Sequence, residues 1–454
     1  MHYDIIIIGG GAAGLMAAYG AASHPGGKRS VLVLEKMPRP GRKIMITGKG
    51  RCNFTNVKDW APFSSHIRAN ANVLRPSFYN LTPQKLIDLF ASSGLESEVE
   101  RGDRAFPASH RAVDVVDALV GMAARAGAGI ETGAEVRNVC LEEEYGEKFF
   151  SVDCRDGRHF SSAKLIIATG GLSYPATGST GDGYRIAESF GHTVKNCFPS
   201  LTALVPKGYK LIEGKVEDGH IDRAEPLSET GKSLCGVQLE NVGVALTVNG
   251  NIAREMEGDL DFTDGGIEGP AGFSVSRDAV KAIVNGGKVS VIIDLKPAVT
   301  EPQLLSRVEC LWKSVREDSR SRGKSQRQLL RILLGKVMPW ELVPGFIGTS
   351  PALFSGKNGR EQLKVNVLVS ALKCWKFDIA GYVGYERCVV TAGGVACDEI
   401  IPKTLESRKI PGLYFCGEVL DIDADTGGYN LHTAFSTGCL AGISASKALS
   451  AERR

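Results

Sequence analysis

Gly9, Gly11 and Gly14, in the run GGGAAG that ends the apolar segment DIIIIG, are spaced to hold a pyrophosphate. In such a frame the first glycine permits a tight turn and the second lets the main chain approach the phosphates. The third lets a helix pack closely on the preceding strand, so that the phosphates face the helix's positive end. Glu35 closes a second apolar run that starts at Val31, 21 residues after Gly14, and its carboxylate suits the hydroxyls of a ribose. A glutamate there, rather than an arginine, favours an adenosine ribose without a 2′-phosphate. Together these residues point to an adenine dinucleotide and the redox chemistry that it carries. A glycine-rich turn in an unliganded α/β protein is the bland alternative, and the joint occurrence of strand, turn, helix, strand and acid weighs against it.

Other reactive residue types are less organised. The segment GRKIMITGKGRCNFTN at 41–56 is rich in Gly, Lys and Arg without helical or strand periodicity, and reads as a ligand loop. Cys52 within it has no partner at CxxC spacing, so a redox disulfide is not expected. The 11 cysteines are scattered and odd in number, which suits free thiols in a reducing compartment. The eight histidines include no HxxxH pair, and no metal-ligand spacing occurs. The stretch KSVREDSRSRGKSQRQLLR at 313–331 is basic but interrupted by Glu317 and Asp318 and free of aromatics. It reads as a solvated helix face and linker, with an RNA-contacting segment as the alternative.

The elements that must position these residues are those of an ordinary folded chain. With 454 residues the prior is about three domains. Apolar residues make up 43% and charged residues 23%, which excludes disordered and disulfide-scaffold classes. The 54 glycines are well above the average share of about 7%, as expected where backbone passes close to a ligand. A net charge of +3 leaves no large single-sign field and argues against an obligate nucleic-acid binder. No apolar run suits a signal peptide or a membrane span, so a cytoplasmic location without membrane contact is expected.

Asp4–Gly9 has the continuous branched composition of a strand buried on both faces of a parallel sheet, and LIIATGG at 165–171 repeats it. Helices are expected around 83–93 and 112–126, a strand within 127–139, and a helix after STGDGY at 179–184. From about 198 the texture changes to β-branched runs such as VGVALTV at 242–248 and KVSVIIDL at 288–295. Helical patterns at 301–318, 325–343 and 360–373 lie among them, and short buried strands return at 389–395 and 412–418. The expected organisation is a split dinucleotide domain, 1–197 with 389–454. A barrel-like insert occupies 198–299 and 374–388, and a helical subdomain 300–373.

Four segments taken together are far more specific. They are GGGAAG, the 41–56 loop, ATGGLSYPATGSTGDGY at 168–184, and the run from TAGGVACDE at 391 to STGCLAG at 442. With FTDGGIEGP at 262–270 they resemble the BaiN/YhiN-type NAD(P)/FAD-dependent oxidoreductases, the family that includes aminoacetone oxidase. The resemblance implies an FAD-binding Rossmann-type domain split by a β-barrel-like insert and a small helical subdomain. It places the FAD pyrophosphate on Gly9, Gly11, Ala13 and Gly14, and the adenosine ribose on Glu35. Arg42, Lys43 and Thr47 would approach the cofactor, Val136 would meet the adenine, and Gly170 and Gly417 would line the site. Glu418 would face the ribityl chain or phosphate. Gly428, Asn430 and Leu431 would offer main-chain N–H groups to the flavin pyrimidine ring. Where the family pattern often has His, Ser and Gln, this chain has Asp264, Glu268 and His432. His432 would sit beside the flavin and either pack or relay protons, and no catalytic residue is assigned.

The implied activity is hydride transfer between a small organic substrate and flavin N5, favouring an NAD(P)H-linked reductase. An amine oxidase using oxygen, an RNA-acting flavoprotein and a non-catalytic flavin-binding scaffold are the alternatives. With one GxGxxG frame in the sequence, NAD(P)H is expected as a transient donor.

Overall fold

Four consecutive isoleucines, Ile5–Ile8, are all buried in the strand β1 (His2–Ile8), which lies between two parallel partners in a mixed seven-stranded sheet. The computed structural model describes residues 1–25, 28–214, 216–355 and 362–452. One side of β1 pairs in parallel with β2 (Val31–Glu35), in the register Ile5 to Val31. The other side pairs in parallel with His159–Ile167, in the register Ile5 to Lys164. Gly129–Thr132 extends the sheet beyond β2, and Leu413–Phe415 pairs with Leu165–Ile167. A branched side chain on each face of β1 is worth about 1.5–3 kcal/mol when fully buried, which makes this strand the natural core.

The chain divides into two units, Met1–Pro199 with Val389–Arg454, and Ser200–Cys388. The first boundary falls two residues beyond the change in sequence texture, where the strand Val194–Ser200 pairs with Val390–Val395. The strand expected from LIIATGG begins earlier, at His159, because its first half pairs antiparallel with Phe150–Asp153 and so need not be apolar on both faces. The single strand expected within 127–139 is two, Gly129–Thr132 and Val136–Glu144. The expected ligand loop is partly ordered, with a helix α2 (Arg42–Ile46), a 3-10 turn Thr47–Gly50 and the short strand Thr55–Asn56. Five residues are less than two helical turns, too few to print a periodicity.

The helix α1 (Ala12–Ala22) is built from small apolar residues, because it is covered on several sides. It runs against the C-terminal helix Tyr429–Glu452 at backbone contact distance. A Cβ on Gly438 or Gly442 would lie 2.1 Å from the carbonyl oxygens of Ala13 and Ala17, and one on Gly20 would lie 2.7 Å from that of Cys439.

In the second unit, Leu204–Pro206, Gly266–Glu268, Asn251–Thr263, Gln238–Val248, Val289–Asp294 and Trp375–Val383 form a closed antiparallel barrel. It closes where Leu204 pairs with Tyr382. The helices Glu301–Glu317, Gln326–Leu334, Leu342–Thr349 and Val365–Lys373 follow the fifth strand. The helix expected over 325–343 is broken in two around Pro339, since a proline disfavours helical backbone in the residue before it. Residues 360–361 of the helix expected at 360–373 lie outside the described residues, as do 453–454. The fold is thus a Rossmann-type domain interrupted in sequence by a barrel insert and a helical subdomain.

Gly442→Ala is expected to lower stability by about 1–3 kcal/mol, the usual cost of forcing atoms into a packed interface. Urea unfolding followed by far-UV circular dichroism measures it, and an unchanged midpoint would mean that the two helices part without cost.

Candidate cofactor site

The turn from β1 to α1 gives each glycine a separate physical role. Gly9 has φ +107°, a region that side chains avoid, and a Cβ there would lie 2.4 Å from the Ala168 carbonyl oxygen. A Cβ on Gly14 would lie 1.8 Å from the carbonyl oxygen of Gly9, so helix and strand touch. Gly11 differs: its φ is −84°, and a Cβ would meet nothing within 4 Å. No side chain caps α1, and no acidic residue occupies its first turn. The helix therefore presents an open end with amides and positive dipole toward space that no side chain fills, which fits a diphosphate.

Glu35 stands beside this end. Its carboxylate accepts the N–H of Gly10 at 2.7 Å and that of Met37 at 2.7 Å, which braces the turn. Burial raises its pKa, although both amides, Lys36 and Arg42 pull the other way. The Glu35 carbonyl accepts the N–H of Ala134 at 2.9 Å, which places Val136, at the start of its strand, two residues beyond that contact. Gly417 joins the same end, since a Cβ there would lie 2.7 Å from that of Ala13.

A second group centres on Glu418. One carboxylate oxygen accepts the Ser173 hydroxyl at 2.5 Å and the Thr391 N–H at 2.8 Å, and the other pairs with Lys43 at 2.6 Å. Lys43 also donates to Ser173 at 2.6 Å. Burial alone would raise the Glu418 pKa, but Lys43, Ser173 and the Thr391 amide hold it below its ordinary value. Both oxygens are thus committed to protein partners. Ser173 and Thr391 carry no role in the sequence reading, though both lie within its quoted motifs. Gly170, at φ +74°, turns the chain on which Ser173 rides. The Thr47 hydroxyl donates to the Ile44 carbonyl at 2.7 Å and closes its own turn, apart from the Glu418 group.

The third group is the start of the C-terminal helix. Gly428 has φ +95°, and a Cβ there would lie 2.4 Å from the Thr55 carbonyl oxygen, which seats the helix end on the short strand. The Asn430 side chain bonds the N–H and carbonyl of Ala424 at 2.9 Å each, fixing the preceding loop. Its own main chain and that of Leu431 lie in the first helical turn. His432 is fully buried against Phe63 and Phe78, and its Nδ1 lies 2.9 Å from the Thr55 hydroxyl. Burial pushes its pKa down to about 3, so it is neutral and packs. Cys52 is also buried, with its thiol pushed up to about 12.

In the insert unit, Asp264 and Glu268 both pair with Arg387, whose Nε lies 2.7 Å from Glu268. Burial raises the Glu268 pKa against the pull of Arg387. Asp264 is held low by Arg387 and Arg223 despite its burial. Glu98, Glu100 and His110 gather in the first unit, where Arg51 bonds both Glu100 and His110.

The HI0933-like protein Rossmann domain matches residues 3–444, nearly the whole chain. The chain belongs to the HI0933-like family. Among members of the family, the ribosomal RNA dihydrouridine synthase of Escherichia coli is 32% identical over 439 residues, covering 96% of each chain. The 3-dehydro-bile acid delta(4,6)-reductase of Clostridium scindens is 30% identical over 449 residues, covering 97% of this chain and 98% of the relative. The fold is also that of 3-ketosteroid delta1-dehydrogenase from Sterolibacterium denitrificans, with TM-score 0.50 and 13% identity, covering 98% of this chain and 100% of the other. The HI0933-like chain is an FAD-dependent oxidoreductase.

Gly11→Val is expected to abolish flavin binding while leaving the fold intact, because a Cβ there has no neighbour within 4 Å and the branched side chain enters the open end of α1. Flavin absorbance of the purified variant, beside an unchanged circular dichroism spectrum, checks this; full occupancy would place the phosphates elsewhere. Glu418→Gln leaves the partly buried Lys43 with Ser173 but no carboxylate and is expected to cost about 1–3 kcal/mol. Because the Glu418 pKa is lowered from 4.5, its stabilisation is present above that value and lost as pH falls below it. Urea titrations at several pH values should show the variant's deficit shrinking in acid, and a deficit independent of pH would exclude the ion pair as its cause.

Proposed function

We propose that the protein is an NAD(P)H-linked reductase of a carbon–carbon double bond conjugated to a carbonyl group. The observation that carries this reading is the reaction shared by the relatives' names. Dihydrouridine is uridine saturated at the double bond next to a ring carbonyl. The 4,6-double bonds of a 3-dehydro bile acid are conjugated to its 3-ketone. One reaction type therefore spans two dissimilar substrates, while the chains align nearly end to end.

FAD, when bound, supplies hydride at its N5 atom. The chain's own residues bind and orient. The open amides of α1 suit the pyrophosphate, and Glu35, whose carboxylate oxygens each accept one amide and keep further acceptor capacity, suits the adenosine ribose. The positive N-terminal end of the helix Tyr429–Glu452 suits the pyrimidine edge of the ring system, where negative charge gathers on reduction. His432, neutral and enclosed by aromatic rings, holds this end by packing and a Thr55 hydrogen bond, and supplies no proton. A nicotinamide donor has no second GxGxxG frame in the sequence to hold it, so it visits and leaves before substrate enters.

Anaerobic mixing of the purified flavoprotein with NADH and NADPH separately, followed by a panel of enones, tests the reading. The expected result is bleaching by at least one donor, recovery of the oxidised spectrum on adding an enone, and parallel double-reciprocal lines. Inertness toward both donors, with rapid bleaching by an amine, would instead make the protein an amine oxidase.

A further inference from the structure

The helix Tyr429–Glu452 carries no acidic residue in its first turn, where a negative side chain would complement the positive helix end. The folded chain sets a cation there instead. Lys58, just beyond the short strand Thr55–Asn56, donates from Nζ to the Tyr429 hydroxyl at 3.1 Å and to His66 Nε2 at 3.2 Å. Asn56 fixes this approach by donating to the Gly427 carbonyl at 3.2 Å. The Tyr429 ring is itself held by stacking on His66, with centroids 4.3 Å apart, and by the Phe63 edge. Its position therefore does not need the ammonium.

Neither partner of Lys58 cancels its charge. An ammonium group only donates, so His66 Nε2 accepts, and the ring is neutral with its proton on Nδ1, which faces Asp425 at 3.1 Å. Burial first, then Asp425 and Asp103, pushes the Tyr429 pKa up, so the phenol is neutral as well. Asp425 is already shared, since it also accepts Arg68 Nε at 2.7 Å, and Arg68 keeps Nη2 buried without a hydrogen-bond partner. Among the described residues no carboxylate pairs with Lys58. It thus adds an uncancelled positive charge beside an already positive helix end. The two repel each other, and both favour a negative charge arriving at that end.

We propose that Lys58 is a positioning residue that acts through the first turn of this helix to favour reduced over oxidised FAD, and so sets how readily the cofactor accepts hydride. A hydride brings two electrons and one proton to N5, which leaves one negative charge on the ring system, gathered at its pyrimidine edge. The inference rests on the placement of that edge at this helix end, and not on the identity of the donor or the substrate.

The reduction potential of the bound FAD, measured by anaerobic photoreduction against a reference dye, tests this without nicotinamide or substrate. Lys58→Met should keep its flavin and shift the ratio of reduced to oxidised cofactor about tenfold toward oxidised. For two electrons that is a potential roughly 30 mV lower, the order expected of one partly buried charge. Lys58→Arg should restore the parent potential. Should Lys58→Met purify without flavin, the flavin-free variant is titrated with oxidised and with reduced FAD, and a loss of affinity about tenfold larger for the reduced form is then the expected result. An unchanged potential, or an equal loss of affinity for both forms, would overturn the proposal and leave Lys58 as a support for Tyr429. If both nicotinamide donors are inert while Lys58→Met lowers the potential, the reductase reading fails and the role of Lys58 stands. Reduction by a donor, with the potential of Lys58→Met unchanged, would keep the reading and remove that role.

Discussion

The backbone crowding around the first turn of α1 is the constraint on which the first unit depends. Gly14 brings the helix onto the strand end at Gly9, Gly9 turns beneath Ala168, and Gly438 brings the C-terminal helix against Ala13. A side chain at any of these three would push an element away. Gly11 alone, in the same few residues, borders open space. The crowding thus has a direction: it seals the helix end on the protein sides and leaves its amides facing one way. An uncapped helix end carries unsatisfied donors, and its persistence in an otherwise well-bonded turn is intelligible if an anionic ligand satisfies them.

Segments far apart in sequence must be held to that end, and polar groups do most of this. Glu418 links Lys43, Ser173 and Thr391, and Glu35 links Gly10 and Met37. Glu35 is buried and Glu418 mostly so, and each has its partners, so removing one partner costs more than the pair contributes. The same logic makes His432 a poor proton donor. Its ring is fully buried against Phe63 and Phe78, which disfavours the charged form.

What was legible in the sequence is what has a local cause. The GGGAAG turn could be read because each glycine answers a constraint set within a few residues, and Ile5–Ile8 because a strand covered on both faces must be apolar throughout. The α/β class and barrel insert followed from such runs and from the family resemblance. The short helix α2 was not legible, since Arg42–Ile46 is too brief to show a period. The break near Pro339 was hidden by continuous apolar spacing on both sides of it. Ser173 and Thr391 lie 218 positions apart and become partners of Glu418 only in the folded chain. Pairings over such separations leave no pattern in the sequence around either residue.

The claim that an open helix end and Glu35 together hold a dinucleotide is tested most directly by titrating the flavin-free protein with FAD and, separately, with FMN by calorimetry. FMN lacks the adenosine ribose and the second phosphate. It should bind at least roughly 100-fold more weakly, equivalent to about 2.7 kcal/mol of lost buried hydrogen bonds and helix-end attraction. Equal affinity for the two would mean that neither α1 nor Glu35 contributes to holding the cofactor.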